Sequence, residues 1–240
     1  MARRKYGWRI AGFAFRGVCA LLIIGIIGLL AWRIIDQKIV PKAIKTLTPN
    51  AKLGEAYDTY GEKLTLYYQD QNEHTREEKN YGYFANSGAV FIKEANQLQF
   101  ILRYNNSTLE DTKDDYGLAS TPSRDENIYD VTVTIMYDLT PENDKDNDGK
   151  TPEAVRYERI KPTGDAISYK KTLYNYRKYI FDGIVIDDSV LGVFADIYYI
   201  GDVDYEKDAY GSLLLYDYES ENIPYTLSSN DKKELNNYSE

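Results

Sequence analysis

From Gly17 to Trp32 the chain runs sixteen residues without a charge. The apolar character reaches back to Ile10, interrupted only by Arg16. A bilayer core of about 30 Å takes ~20 helical residues, so Ile10 to Trp32 is long enough to span one. Arg16 is tolerated near one face, where its side chain can reach the headgroups, and Trp8 and Trp32 fall near opposite interfaces. The alternative, a buried helix of a soluble protein, fits poorly because this helix is apolar on every face. Arg3, Arg4, Lys5 and Arg9 precede the stretch, which favours a cytoplasmic N-terminus, although Lys38, Lys42 and Lys45 follow it. No small-x-small cleavage pattern closes it at Leu30, Ala31, Trp32 and Arg33. The expectation is an uncleaved, single-pass signal anchor in the plasma membrane. Residues 1–9 are then a basic cytoplasmic leader, 10–35 a transmembrane helix, and the remainder extracytoplasmic. Cys19 reads as a small apolar filler within that helix.

Charge divides at the same place. Residues 1–45 carry +8 and residues 46–240 carry −17. So acidic an outer segment is a poor partner for nucleic acid or anionic lipid. Cys19 is the only cysteine, so the 195 outer residues hold together without disulfides, which leans toward a bacterial envelope.

Residues 36–80 read as a juxtamembrane stalk with one short strand near Leu64 and Leu66. His74, the only histidine, falls in its polar run and reads as solvated. From Tyr81 the pattern is strand after strand. Leu98, Phe100, Leu102 and Tyr104 alternate with Gln97, Gln99 and Arg103, a period of two with one buried and one wet face. Ile101 breaks that pattern. Val131, Val133, Ile135 and Tyr137 repeat it. Residues 110–127 and 140–153 read as polar loops. Residues 165–181 fit either a helical stripe or a strand, and the density of aromatic and β-branched residues selects the strand. Residues 219–240 read as a polar tail. The fold expected for 81–218 is all-β, an antiparallel immunoglobulin-like β-sandwich.

The sharpest local chemistry is Asp144, Asp146 and Asp148 on alternate residues before Gly149. Such spacing can wrap a hard cation, with Lys150 adding its carbonyl and Glu153 a carboxylate, so Ca2+ is the candidate cofactor. The position at which an EF-hand carries its bidentate glutamate is Val155, so the pattern is incomplete. A hydrated acidic turn explains it equally. A second feature is a basic island within the acidic segment. Arg156, Arg159, Lys161, Lys170, Lys171, Arg177 and Lys178 face only Glu158 and Asp165 between residues 155 and 178. Tyr169, Tyr174 and Tyr176 are interleaved with the later cations. That mixture suits an anionic polymer, sugar rings or an acidic partner. Lysines that keep exposed strand edges apart are the plainer account. No GxSxG, P-loop or GxGxxG occurs, and one histidine supports no triad.

The expected function is a non-enzymatic interaction module docking another envelope protein as an accessory or structural subunit. A cell-wall polysaccharide or anionic polymer-binding module, calcium-dependent or not, is the alternative. A carboxylate-based glycan hydrolase comes third.

Overall fold

The computed structural model describes residues 18–32, 39–69, 84–138, 155–205, 207, 209–219 and 221–239. They belong to two compact units, Met1–Ile39 and Val40–Glu240. In the first, residues 18–32 form helix α1. Its apolar side chains are exposed all round, Leu21, Leu29 and Trp32 among them. Among the described residues no helix is long and apolar enough to cross a membrane. Residues 10–17 and 33–35 of the expected span lie outside the described residues.

The second unit is mostly β. Its strands are β1 (Leu66–Gln69), β2 (Phe84–Ile92), β3 (Gln97–Asn105), β4 (Tyr129–Asp138) and β5 (Val155–Ile160). They continue as β6 (Ile167–Lys170), β7 (Tyr174–Asp182), β8 (Val190–Tyr199), β9 (Gly211–Asp217) and β10 (Ile223–Pro224). Among the described residues four α-helices accompany them: α2 (Lys42–Lys45), α3 (Ala51–Tyr60), α4 (Asn106–Asp115) and α5 (Ser229–Ser239). One antiparallel sheet has the order β10-β1-β2-β3-β7-β6, and the other β5-β4-β8-β9. The expected all-β sandwich is therefore present as a class. Its six and four strands differ from the four and three of a constant-type immunoglobulin domain.

The alternation read in the sequence builds the core between the sheets. Leu98, Phe100, Leu102 and Tyr104 of β3 face Val131, Val133 and Ile135 of β4 and Val193, Ala195 and Ile197 of β8. At one end Phe84, Tyr104 and Tyr129 meet edge to face, at centroid distances of 5.0 to 6.2 Å. Gly211 closes this end because there is no room for more. A Cβ there would lie 2.9 Å from the buried Phe84 ring. We expect Gly211→Ala to lower stability by about 1–3 kcal/mol in urea titrations, the usual cost of overpacking.

The outer face of the six-stranded sheet is covered too, and this departs from expectation. Residues 36–80, expected as a stalk, include α2, α3 and β1, and residues 219–240, expected as a tail, include β10 and α5. Leu47, Leu53, Leu66, Leu227 and Leu235 from these stretches pack on Val90 and Ile92 of β2. Ile44 packs on Ile101 and Tyr176. Ile101 breaks the alternation because its face is a second core. Gln97 and Gln99, expected wet, are buried there at 1% and 2% exposure. Within the polar stretch 110–127 the structure places part of α4, whose Thr108, Leu109 and Thr112 turn inward. Asn105 caps it, accepting from the Thr108 amide at 2.8 Å.

Candidate functional site

Asp144, Asp146, Asp148, Lys150 and Glu153, the candidate Ca2+ ligands, lie outside the described residues. Among the described residues no group of three or more His, Cys, Asp or Glu side chains is placed to hold a metal ion.

The basic island is divided by the folding of its strands. Along β7 successive side chains point to opposite faces. Tyr176 and Lys178 therefore enter the outer-face core, and Arg177 enters the space between the sheets. All three are buried, at 0%, 2% and 3% exposure. Arg177 donates to Tyr104 Oη at 3.1 Å and to the Glu126 carbonyl. Tyr174 is half-buried, with the Arg103 guanidinium 5.2 Å from its ring. Tyr176, Arg177 and Lys178 are thus packed within the two cores.

The remaining cations stay outside. β5 and β6 are the terminal strands of their sheets, and six residues, 161–166, join them. Arg156, Tyr157 and Arg159 on β5 and all four residues of β6 are exposed. Lys170 pairs with Asp125, and Arg156 pairs with Glu158 at 3.5 Å. Arg159 and Lys161 have no carboxylate in ion-pair reach among the described residues. They lie instead over the Tyr205 ring, 5.2 and 5.0 Å from its centroid. Arg159 also donates to the Tyr205 carbonyl at 3.1 Å, and the Tyr205 hydroxyl bonds Asp130. Tyr205 thus holds both cations above the outer face of the four-stranded sheet.

Lys178 anchors an arrangement that reading the island as surface could not find. Its Nζ donates to the Thr46 carbonyl at 2.6 Å. Burial pushes its pKa down to about 7, against a smaller opposing pull from the Asp231 carboxylate. Asp231, fully buried on α5, accepts from the Leu47 amide at 2.6 Å and the Tyr225 hydroxyl at 2.9 Å. Next to it a polar ladder crosses the sheet. Gln99 exchanges hydrogen bonds with both the amide and the carbonyl of Thr48. Gln97 donates to Asn50 Oδ1 and Asp182 Oδ1, both at 2.9 Å. Segment 46–50 is thereby fastened to the sheet at Thr46, Thr48 and Asn50, and to α5 at Leu47. A cavity lined by Lys178, Lys45, Tyr68, Gly88, Gln99 and Tyr225 leaves about 20 Å³, room for about one water. So small a space suits a bridging solvent molecule rather than a substrate.

The described surface thus offers one exposed, aromatic and cationic flank and one buried polar fastening. Neither assembles a nucleophile with a base. Compared with family models, with curated proteins and with solved structures, the chain matches none.

Proposed function

We propose that this chain is a single-pass membrane-anchored envelope protein, N-in and C-out. Its outer unit is a non-enzymatic sandwich that docks another envelope protein as an accessory or structural subunit. The observation that carries the anchor is the charge-free run from Gly17 to Trp32. The exposure of its apolar side chains in α1 supports the same reading, since a water-exposed helix of this composition would aggregate. Docking is favoured over polymer binding because Tyr176, Arg177 and Lys178 are buried, leaving four of the seven residues considered for a polymer. The likeness to an immunoglobulin module lies in use, with strands and loops as contact surfaces, rather than in strand order.

The test is a topology measurement in a Cys19→Ala background carrying Asn237→Cys, an exposed position of α5. We expect an impermeant maleimide to label intact cells, and the protein to stay with the membrane through an alkaline wash. Labelling only after lysis would reverse the orientation. Release by alkali would remove the anchor.

A further inference from the structure

We infer that the flank formed by β5 and β6 is the docking surface, and that its occupant is an acidic, extended polypeptide segment of the partner. This rests on the docking reading above and adds the place and the chemistry of the contact.

Three independent properties coincide on this flank. The first is backbone: among the described residues β5 pairs only with β4, and β6 only with β7, so both described sheets end here. An open edge offers a row of amides and carbonyls to an added strand. At the far end of the six-stranded sheet the last strand, β10, is two residues long and carries Pro224, which has no amide to offer.

The second property is apolar exposure. Outside α1, four of the eleven exposed large apolar or tyrosine side chains of the described residues fall within residues 157–173. They are Tyr157, Ile167, Tyr169 and Leu173, at 39% to 56% exposure. β6 presents both of its faces to solvent, unlike a strand that finishes a core. Lysines that merely guard an edge would account for the charge but not for this concentration of apolar surface.

The third property is charge. Residues 155–171 carry +3 within an outer segment of −17. Arg159 and Lys161, held over Tyr205, supply positive charge with no ion-pair partner among the described residues. An acidic segment is steered here and repelled elsewhere. A strand of alternating acidic and apolar residues would meet the cations, the tyrosines and the open backbone together. A phosphodiester polymer would use the cations alone.

The full chain in nanodiscs is titrated with a fluorescent decapeptide of alternating glutamate and valine, at about 0.15 M salt. Poly(glycerol phosphate) serves as the competing probe. We expect saturable peptide binding with new hydrogen-exchange protection of the Ser168 and Lys170 amides, which face away from β7. The double variants Arg159→Glu with Lys161→Glu, and Lys170→Glu with Lys171→Glu, should each weaken it at least about tenfold at unchanged melting temperature. No peptide binding, equal binding by the charge-reversed variants, or displacement by the polymer without amide protection each overturns the inference.

A benzophenone amino acid at Tyr169, or at Tyr60 on α3, then separates this inference from the docking reading in cells. Capture at Tyr169 of a partner segment that maps to an acidic strand supports it. Capture only at Tyr60 overturns the flank and leaves docking standing, and capture at neither overturns both.

Discussion

Asp231→Ala should be the most damaging single substitution in the outer unit, lowering its stability by about 3–5 kcal/mol. The carboxylate is fully buried and accepts four hydrogen bonds. Oδ1 takes the Leu47 amide at 2.6 Å. Oδ2 takes the Tyr225 hydroxyl at 2.9 Å, the Ser228 amide at 2.7 Å and Ser228 Oγ at 2.6 Å. The Asp231 amide in turn donates to Ser228 Oγ at 3.2 Å. Ser228 and Asp231 are three apart at the start of α5, the reciprocal arrangement of a capping box with aspartate in the third helical position. Truncation removes the carboxylate half of the capping box, strands the Leu47 amide in a core, and takes away the charge that offsets burial of Lys178. Asp231→Asn keeps one acceptor oxygen and should cost less. Urea titration of the full chain in detergent, followed by circular dichroism, measures both. Tryptophan fluorescence would not serve, since Trp8 and Trp32 belong to the other unit. A loss below about 1 kcal/mol would mean that the α5 fastening is peripheral.

This fastening also shows where sequence reading stopped. The core between the sheets was legible, because alternation over 98–104 and 131–137 is a local signal that a buried face imposes on each strand. For 165–181 the density of aromatic and β-branched residues selects a strand, and the stretch forms two, β6 and β7, with residues 171–173 between them. The second core was not legible. Lys178 is covered by Thr46, 132 positions away, and Leu47 is tied to Asp231 across 184. No window of sequence contains such a contact. Cations in an acidic chain read as surface, since isolated lysines are rarely buried. Two local signals did exist. Ile101 sat on a face expected to be wet, and Ser228 with Asp231 spelled a helix start in a stretch read as tail. Together they pointed to a covered sheet and a helix to cover it.

Burial of Lys178 makes a second large effect, one that depends on pH. The folded protein holds this amine at a pKa of about 7 against an ordinary 10.5. Between those values the unfolded chain binds the proton and the folded chain does not, so stability rises as pH is raised through that window. Below pH 7 both forms are protonated and the whole penalty is present. At about 1.4 kcal/mol per pH unit the gain is bounded near 5 kcal/mol. Above pH 10 the sign reverses. Burial raises the hydroxyl pKa of Tyr129, Tyr179, Tyr210 and Tyr225, so the unfolded chain gives up those protons first and stability falls. The clean readout is therefore the difference between the wild type and Lys178→Met over pH 6 to 10. Lys45, Asp231, Tyr68 and Tyr225, which surround the amine, are common to both proteins, so in first approximation their titration cancels. At pH 6 the methionine variant should be the more stable by a few kcal/mol, because it fills the same space without a buried charge. By pH 10 the gap should close or invert slightly, since the neutral amine still donates to the Thr46 carbonyl and methionine cannot. A difference that does not change with pH would mean that Lys178 reaches water when charged. Segment 44–50 would then be opening over it, and the protection of the Leu47 and Thr48 amides against hydrogen exchange, relative to their intrinsic rates, would fall as the pH falls.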